Sequence, residues 1–298
     1  DRLLNLYKET GDKDFKPTAS SGNAVISAFA KSERPDSVER ARAVFEKMKE
    51  FCEPDSYSYN SVINAFAKKG EGLMAKTLLK EMEDACNSGN AAACPDLTTY
   101  NTVIFALSKS TREGSAQDAE ALLNKLKTLY EQGRTGMKPT TETYTTVITA
   151  WGRLRHAEKA NEILRSAVDS FKAGDESLKP DVKMYTAAIY ACARSKMKYT
   201  EQKRNVLKIA IQLFEELKNT PEYDNPNNVT YRALMKACNE LSVDPAERSR
   251  LLKAIFQQAA QDGMVSKLVL ATLKEGVKPD EFRSIVGENG RMYPRNWS

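Results

Sequence analysis

The hydrophobic positions of this chain follow the period of an α-helix, and the helical pattern itself recurs in blocks. In "SYSYNSVINAFAK" (56–68), Tyr59, Val62, Ile63 and Phe66 fall on one helical face. Similar stretches begin at residues 19, 56, 97, 141, 182 and 228, and a second amphipathic segment, such as "ARAVFEKM" (41–48), follows each of them. One short helix pair cannot bury such faces alone, so the pattern predicts stacked helix pairs with a continuous core.

Most blocks end in a proline followed by a small polar residue. The proline stops the second helix, and the polar residue is suited to cap the next one. These junctions are Pro54-Asp55, Pro95-Asp96, Pro139-Thr140, Pro180-Asp181 and Pro226-Asn227. We therefore predict an all-α fold, a right-handed α-α superhelix (solenoid) of six helix pairs. Their bounds are 19–55, 56–96, 97–140, 141–181, 182–227 and 228–266, with half a repeat over 1–18 and a capping helix and tail over 267–298.

Composition adds few constraints. The chain has 298 residues, 41% of them hydrophobic, and its formal net charge of +5 is a mild basic bias. No apolar run approaches the roughly 18 residues of a membrane span. The sequence opens at Asp1 inside a helical pattern, which indicates a processed or trimmed piece that lacks its targeting segment.

The residues that carry common catalytic chemistry are scarce. His156 is the only histidine, which argues against a histidine triad or a His/Cys metal site. The five cysteines contain no C-x-x-C pair and are expected to be reduced structural thiols, with Cys192 and Cys238 in the same apolar slot of two copies. No phosphate-binding glycine loop is present. We expect no enzyme activity, no metal, no cofactor and no small-molecule substrate.

The repeated motif reads Tyr-Asn-Thr/Ser-Val-Ile, then Ala, then Lys, then A-x-x-L-F-x-E-M, then Pro-Asp. Over roughly residues 16–266 this resembles the pentatricopeptide repeat. Tetratricopeptide repeats differ, because they carry an early Trp-x-x-Leu-Gly-x-x-Tyr motif and a period near 34 residues. The copies here are 37, 41, 44, 41 and 46 residues apart, beyond the family norm of about 35, which suggests an expanded form.

The resemblance implies that each repeat contacts one base of a single-stranded RNA. Two positions would read the base: the residue after the tyrosine (the reader slot) and the last residue of the repeat (the closing slot). The reader slots hold Asn23 (after Gly22, which replaces the tyrosine), Asn60, Asn101, Thr145, Thr186 and Arg232. The closing slots hold Asp55, Asp96, Thr140, Asp181, Asn227 and Ser266. By the family's code, Asn with Asp favours U, Thr with Asp favours G and Thr with Asn favours A. The copies then give U, U, an uncertain pyrimidine, G, A and no assignment. The alternative is that these Asn and Thr side chains make only local hydrogen bonds.

A second slot, eight residues past the reader, is basic in five copies. This cation slot holds Lys31, Lys68, Lys109, Arg153 and Arg194, with Glu240 in the sixth copy. It lies eleven residues after the slot two before the tyrosine (the flanking slot), and eleven steps of about 100° return to nearly the same helix face. Cations at a regular step suit a phosphate backbone. The alternative is a solvated helix end at which the macrodipole favours Lys.

The flanking slot departs from the family pattern, which places an aliphatic residue there to sandwich neighbouring bases. It holds Ser20, Tyr57, Thr98, Glu142, Lys183 and Val229. Tyr57 and Val229 are the candidates for base stacking, whereas Glu142 would sit badly beside phosphates.

Two hypotheses follow. The first is a single-stranded RNA-binding protein that acts in a mitochondrion or chloroplast on RNA processing, stability or translation. The alternative is a structural scaffold subunit of a large organellar assembly, such as a ribosome, whose concave face holds protein or rRNA. The first is the leading hypothesis, although the irregular flanking slots, the extended repeats and the small number of repeats favour the alternative.

Overall fold

The computed structural model describes residues 7, 9–12, 18–32 and 34–287, and every regular element in that part of the chain is a helix. The predicted all-α fold of paired helices is therefore confirmed. The α-helices, in chain order α1 to α14, are Ala19–Lys31, Ser37–Met48, Ser56–Lys69, Gly72–Asn87, Leu97–Lys109, Ser115–Glu131, Thr141–Arg153, Ala157–Lys172, Val182–Arg194, Thr200–Asn219, Asn228–Leu241, Pro245–Gln261, Lys267–Gly276 and Pro279–Val286.

The helices divide between two compact units, residues 1–139 and 140–298. In the first unit α3 packs on its own second helix, α4, and on the neighbouring first helices α1 and α5. In the second unit α9 packs in the same way between α7 and α11. The predicted half-repeat over 1–18 falls mostly outside the described residues; within it, residues 7, 9 and 10 are helical. The tail beyond 287 also lies outside the described residues.

A small residue lets neighbouring first helices approach closely. Five of the six alanines in the repeated slot are buried, namely Ala65, Ala106, Ala150, Ala191 and Ala237. A Cβ added to Gly152 of α7 would lie only 3.0 Å from the Cβ of Ala191 on α9. Ala28 is exposed, because no described first helix precedes α1. The alanine slot therefore belongs to the contact between successive first helices.

The repeated tyrosines are core residues, as their place on the apolar stripe predicts. Their side chains are at most 3% exposed: Tyr59, Tyr100, Tyr144, Tyr185 and Tyr231. Two of these rings also meet the second helix of the preceding pair: Tyr59 packs edge-on against Phe45, and Tyr231 packs edge-on against Phe214. Tyr59 and Tyr231 thus each connect two successive helix pairs.

The hydroxyls of Tyr59, Tyr100 and Tyr231 donate to carboxylates on, or directly after, second helices. Tyr100 Oη lies 2.7 Å from Glu83 Oε1, and Lys125 Nζ lies 2.6 Å from Glu83 Oε2. Tyr231, Asp262 and Lys218 form a similar group in the second unit. Burial and the neighbouring carboxylate raise the pKa of Tyr100, so the phenol keeps the proton that it donates.

The extra residues of the expanded copies form a recurring ordered turn. Each of three turns has a glycine with positive φ, followed by a 3₁₀ helix, and the glycine is required because other residues rarely adopt that conformation. The 3₁₀ helices are Ala91–Ala93, Thr135–Met137 and Glu176–Leu178. The last residue of each is buried, so the insertion packs back onto the helices.

Two of the expected free thiols are joined. Cys86 and Cys94 form a disulfide across the first expanded turn, so the expectation of five reduced cysteines is wrong for this pair. The turn brings their Cα atoms to 4.8 Å, within the range that a disulfide spans. Cys192 and Cys238 are buried core residues as predicted, and burial raises the pKa of each thiol to about 12.

The last pair is followed by two helices. α13 packs on α11 and α12, where a capping helix was expected. α14 is short and begins with Pro279 at its first position, a favoured place for proline. No described helix has both the length and the apolar character needed to cross a membrane.

Candidate functional site

Each closing-slot residue is the N-cap of the helix that follows it, a first helix in five cases and α13 in the case of Ser266. Each accepts a hydrogen bond from a backbone N–H of the first helical turn, which satisfies a group that a helix start leaves unpaired. The capping residues are Asp55, Asp96, Thr140, Asp181, Asn227 and Ser266. The closing slot is thus both the end of one repeat and the start of the next helix.

The capping hydrogen bonds use one polar atom of the Asp or Asn side chain, and the second polar atom stays available for other partners. In Asp96, Oδ1 accepts from the backbone N–H and the hydroxyl of Thr99, both at 2.8 Å. In Asn227, Oδ1 accepts from the backbone N–H groups of Val229 and Thr230, so the amide Nδ2 is the remaining group. An aspartate cap therefore presents a free acceptor, and an asparagine cap presents a free donor.

In the first unit, reader and cation slots share one surface groove. We call it the first groove; its volume is about 600 Å³, and its lining includes Lys31, Tyr57, Asn60, Asn64 and Lys68. The side-chain oxygen of Asn60 is buried without a hydrogen-bond partner, and the ring of Tyr57 is 58% exposed. A polar base edge and a stackable ring face are the groups that this groove can accommodate.

The first reader contacts its closing residue directly. Asn23 is buried, and its Nδ2 lies 3.3 Å from Asp55 Oδ1. Burial by itself would raise the pKa of Asp55, but hydrogen bonds from Ser58 and Asn23 outweigh it and hold that pKa below the usual value. The carboxylate is therefore ionised at neutral pH and acts only as an acceptor.

In the second unit a similar groove brings together two readers and a closing residue. This second groove, about 480 Å³, is lined among others by Thr145, Thr186, Arg194, Asn227 and Val229. One predicted cation, two predicted readers, one closing residue and one stacking candidate therefore share this surface.

Thr186 and Asn227 are connected through a third residue. Thr230 Oγ1 lies 3.1 Å from Asn227 Oδ1 and 2.7 Å from Thr186 Oγ1. Because Asn227 Oδ1 has no proton, Thr230 donates to it, and Thr186 donates to Thr230. Thr186 is buried, so its hydroxyl helps to orient the closing residue and retains acceptor capacity.

The other predicted site residues vary in their surroundings. Asn101 is half-buried in the first unit, whereas Thr140, its predicted partner, is exposed in the second. Thr145 is half-buried, and its hydroxyl donates to the carbonyl of Thr141 at 2.8 Å. Asp181 is half-buried and caps α9.

All five residues of the cation slot stand in the last turn of a first helix. Lys31, Lys68, Arg153 and Arg194 are exposed, and Lys109 is half-buried. Lys68 Nζ lies 2.9 Å from the carbonyl oxygen of Ala30, which ties this cation to the end of the preceding first helix.

The position four residues after each reader slot, one helical turn further along the first helix, was not identified from the sequence. Phe105 occupies this position in copy three, is 46% exposed, and has Lys109 Nζ 4.3 Å from its ring centroid. Tyr190 occupies it in copy five and lines the second groove. The i+4 spacing from the reader would have placed both residues on the reader's face.

His156, the only histidine, is exposed at the start of α8. In the described ranges no group of three or more His, Cys, Asp or Glu side chains is arranged to hold a metal ion.

Comparison with protein families finds repeats of one kind. A family model described as a PPR repeat matches residues 57–86 and 142–170, and one described as a pentatricopeptide repeat domain matches residues 5–69.

Similar proteins from Arabidopsis thaliana are named for the same repeat. One pentatricopeptide repeat-containing protein is 27% identical over 128 residues, which is 43% of this chain and 21% of the relative. A chloroplastic one is 31% identical over 81 residues, 26% of this chain and 14% of the relative. Another chloroplastic one is 25% identical over 127 residues, 42% of this chain and 24% of the relative. The chain thus spans less than a quarter of the length of each.

Among solved structures, the pentatricopeptide repeat protein PPR10 in complex with an 18-nucleotide psaJ RNA element is similar at a TM-score of 0.43 and 16% identity. The match covers 100% of this chain and 43% of that one.

Proposed function

We propose, from the premise that this chain is a pentatricopeptide repeat protein, that it binds single-stranded RNA through its first helices, one base to each repeat. The observation that carries the proposal is the arrangement of the two grooves. In each unit, reader residues, a flanking-slot residue and exposed cations line one surface. The six repeats, with the bounds given above, are part of the proposal.

The chemistry of the caps accounts for a preference between bases. Uracil N3–H and guanine N1–H are donors on the Watson–Crick edge, and they would bond to the free oxygen of an aspartate cap such as Asp96. Adenine N1 and cytosine N3 are acceptors, and they would bond to the free amide of Asn227. Since each cap keeps its helix contact while it binds a base, the helix start holds the contacting atom in place.

The reader residue would distinguish the two bases within each group, uracil from guanine and cytosine from adenine. Asn60 carries both a donor and an acceptor, whereas Thr145 and Thr186 carry only a hydroxyl. The smaller Thr leaves more room for a purine beside the closing residue. This gives U for copies one and two, G for copy four with Thr145 and Asp181, and A for copy five with Thr186 and Asn227.

Affinity, as distinct from preference, would come from cations and exposed rings. Lys31 and Lys68 in the first groove, and Arg194 in the second, would neutralise phosphates of the backbone. Tyr57 and Phe105 offer exposed ring faces for stacking, which tolerates any base. These rings would replace the aliphatic flanking residues that most copies lack.

The place of action that we propose is an organelle, a chloroplast or a mitochondrion. Two of the relatives are named chloroplastic. There the protein would act on the processing, stability or translation of a transcript.

The test is a binding competition with purified protein. A fluorescent RNA that contains U-U-C-G-A should bind, and an unlabelled U-U-C-G-A competitor should displace it at least tenfold better than A-A-C-C-U at moderate salt, since each good base contact is worth about 1–3 kcal/mol. Equal displacement by both competitors would show that the slots do not read bases. No RNA binding at low salt would favour the scaffold alternative.

A further inference from the structure

The positive charge of this protein is concentrated at one corner of the second unit. We call residues 194–208 the basic corner; it comprises the last residue of α9, the turn that follows and the first turns of α10. It contains six cations and one carboxylate, Glu201, a net charge of +5 that equals the formal net charge of the whole chain. The six cations are Arg194, Lys196, Lys198, Lys203, Arg204 and Lys208.

These cations have no carboxylate partners in the part of the chain that the structure describes: none of the six takes part in an ion pair there. The corresponding turn between α5 and α6 differs, because Arg112 lies 2.5 Å from Asp118. The turn between α1 and α2 also differs, because Arg40 lies 2.6 Å from Asp36. Each of these two turns pairs a cation with a carboxylate of the protein, whereas the basic corner pairs none of its six.

Helix stability does not account for the cations at the start of α10. Lys203 and Arg204 lie in the first turns of α10, where the positive end of the helix dipole disfavours cations. The N-cap of the helix is Tyr199, whose side chain makes no capping hydrogen bond, although Ser, Thr, Asp or Asn would stabilise that position. The local sequence is therefore less stabilising than it could be, which points to a ligand as the reason for it.

The aromatic residue at the centre of the corner indicates the kind of ligand. Tyr199 is 61% exposed, and Lys198 Nζ lies 5.8 Å from its ring centroid. An exposed ring among cations is typical of surfaces that bind single-stranded nucleic acid, where the ring stacks on a base and the cations track phosphates. A lipid surface would call for exposed aliphatic residues to insert, and Met197, the aliphatic residue of the turn, is half-buried.

The corner adjoins the second groove, because Arg194 belongs to both. On another side, Arg204 and Lys208 line a separate groove of about 480 Å³ that also contains Glu215 and Glu247. Those two carboxylates limit the positive surface in that direction. A strand bound in the second groove would therefore meet the corner where it passes Arg194.

We propose that the basic corner is an auxiliary site that binds the backbone of the RNA flanking the bases read in the grooves, without regard to its sequence. This inference rests on the proposed function, because the flanking segment is brought to the corner by the bases that the grooves hold. The corner adds affinity for long RNAs and leaves the preference between bases unchanged.

The test compares a short RNA, U-U-C-G-A, with a long one that carries ten additional uridines at each end. The corner variant is K196A/K198A/K203A/R204A. The matched control removes four exposed cations of second helices that lie outside any described ion pair: K80A/K172A/R250A/K253A. Wild type and control should bind the long RNA at least tenfold more tightly than the short one. The corner variant should lose most of this gain, and its salt dependence for the long RNA should fall by about 3 units of slope, at roughly 0.7 per phosphate on a single strand.

Tyr199 provides an independent variant. Y199A should reduce the gain for the long RNA about fivefold, within the range of base–aromatic stacking, and Y199F, which keeps the ring, should not. The melting temperature of the corner variant should not fall, because the changes remove cations from the unfavourable end of a helix.

The outcomes separate this proposal from the one that it rests on. An undiminished gain in the corner variant, with the short RNA still bound, would overturn the auxiliary site and leave the proposed function standing. If the wild type binds neither RNA, the proposed function fails and the auxiliary site fails with it. If the corner variant keeps the RNA gain but loses binding to vesicles that contain phosphatidylserine, the corner is a lipid-binding surface and the proposal is wrong.

Discussion

The first and the second groove are built from the same slots, yet they present different chemistry. The first is mostly polar, with Asn60 and Asn64 between two lysines. The second is more apolar, with Tyr190 and Val229 beside Arg194. Because the helices that carry the slots are alike in both units, the difference arises from side chains in a common frame. The two grooves are thus expected to prefer different bases while gripping the backbone in a similar manner.

The connection between reader and closing residue also differs. Asn23 donates directly to Asp55, whereas Thr186 reaches Asn227 through Thr230. In the first case the side-chain amide of the reader donates a hydrogen bond to the closing carboxylate. In the second case a hydroxyl chain fixes the amide and leaves its N–H groups free. The closing residue, which caps a helix in both cases, is where the chemistry of the two units diverges most clearly.

The largest expected effect concerns the phosphate contacts of the cation slots, which the copies share. K68A/K109A/R153A should weaken binding to every RNA alike, by about 100-fold at 0.1 M salt, and should lower the salt slope by about 2 units, at roughly 0.7 per phosphate. A titration of labelled RNA over a range of salt concentrations measures both quantities. A slope equal to that of the wild type would mean that these cations do not face phosphates.

The next effect is a reciprocal exchange between closing slots. Asn227→Asp should move the preference of copy five from A towards G, and Asp96→Asn should move copy two from U towards C, each by about 1–3 kcal/mol. Asp and Asn are equally good caps, so neither change should alter stability. Competition between RNAs that differ at one base measures the shift. Identical base preferences in the two variants and the wild type would show that the caps are structural only.

A third prediction distinguishes residues that stabilise the helix packing from residues that line the grooves. Tyr100→Phe removes the hydrogen bond to Glu83 and should lower the free energy of unfolding by about 1 kcal/mol, with unchanged base preference. The control is Tyr57→Phe, because the exposed hydroxyl of Tyr57 has no protein partner in the described structure. Urea denaturation of both variants measures the difference. Equal stability of the two would refute the role of the tyrosine–carboxylate link.

The smallest expected effect concerns the flanking slot of copy four. Glu142 is an exposed carboxylate on the first-helix surface, and Glu142→Val would give the slot the family's aliphatic residue. The affinity for RNA should rise about twofold at low salt, and less at high salt, because screening weakens the repulsion of phosphates by an exposed charge. Fluorescence anisotropy at two salt concentrations tests this, and an unchanged or lower affinity would show that position 142 does not approach the strand.

Much of the candidate site could be located from the sequence, because its slots repeat. The reader, closing and cation slots were found by alignment of the copies, and the structure brings several of them into common grooves, although their role in binding RNA stays a prediction. Phe105 and Tyr190 were missed because their slot holds different residue types in different copies. The basic corner was missed because only the net charge of the whole chain was considered. The positive and negative charges outside the corner cancel in that sum, so it does not show where the excess lies.

The sequence by itself determined the helix pairs, the burial of the tyrosines and the residues that cap each first helix. These features depend on periodicity and on hydrogen bonds over three or four residues, which one stretch of chain contains. Only the tertiary structure decided that Tyr59 meets Phe45 of the preceding pair, that Thr186 bonds to Thr230, and that Cys86 and Cys94 are joined. Such contacts depend on how separate elements pack, and packing sets which polar atom is used inside the protein and which is left for a ligand.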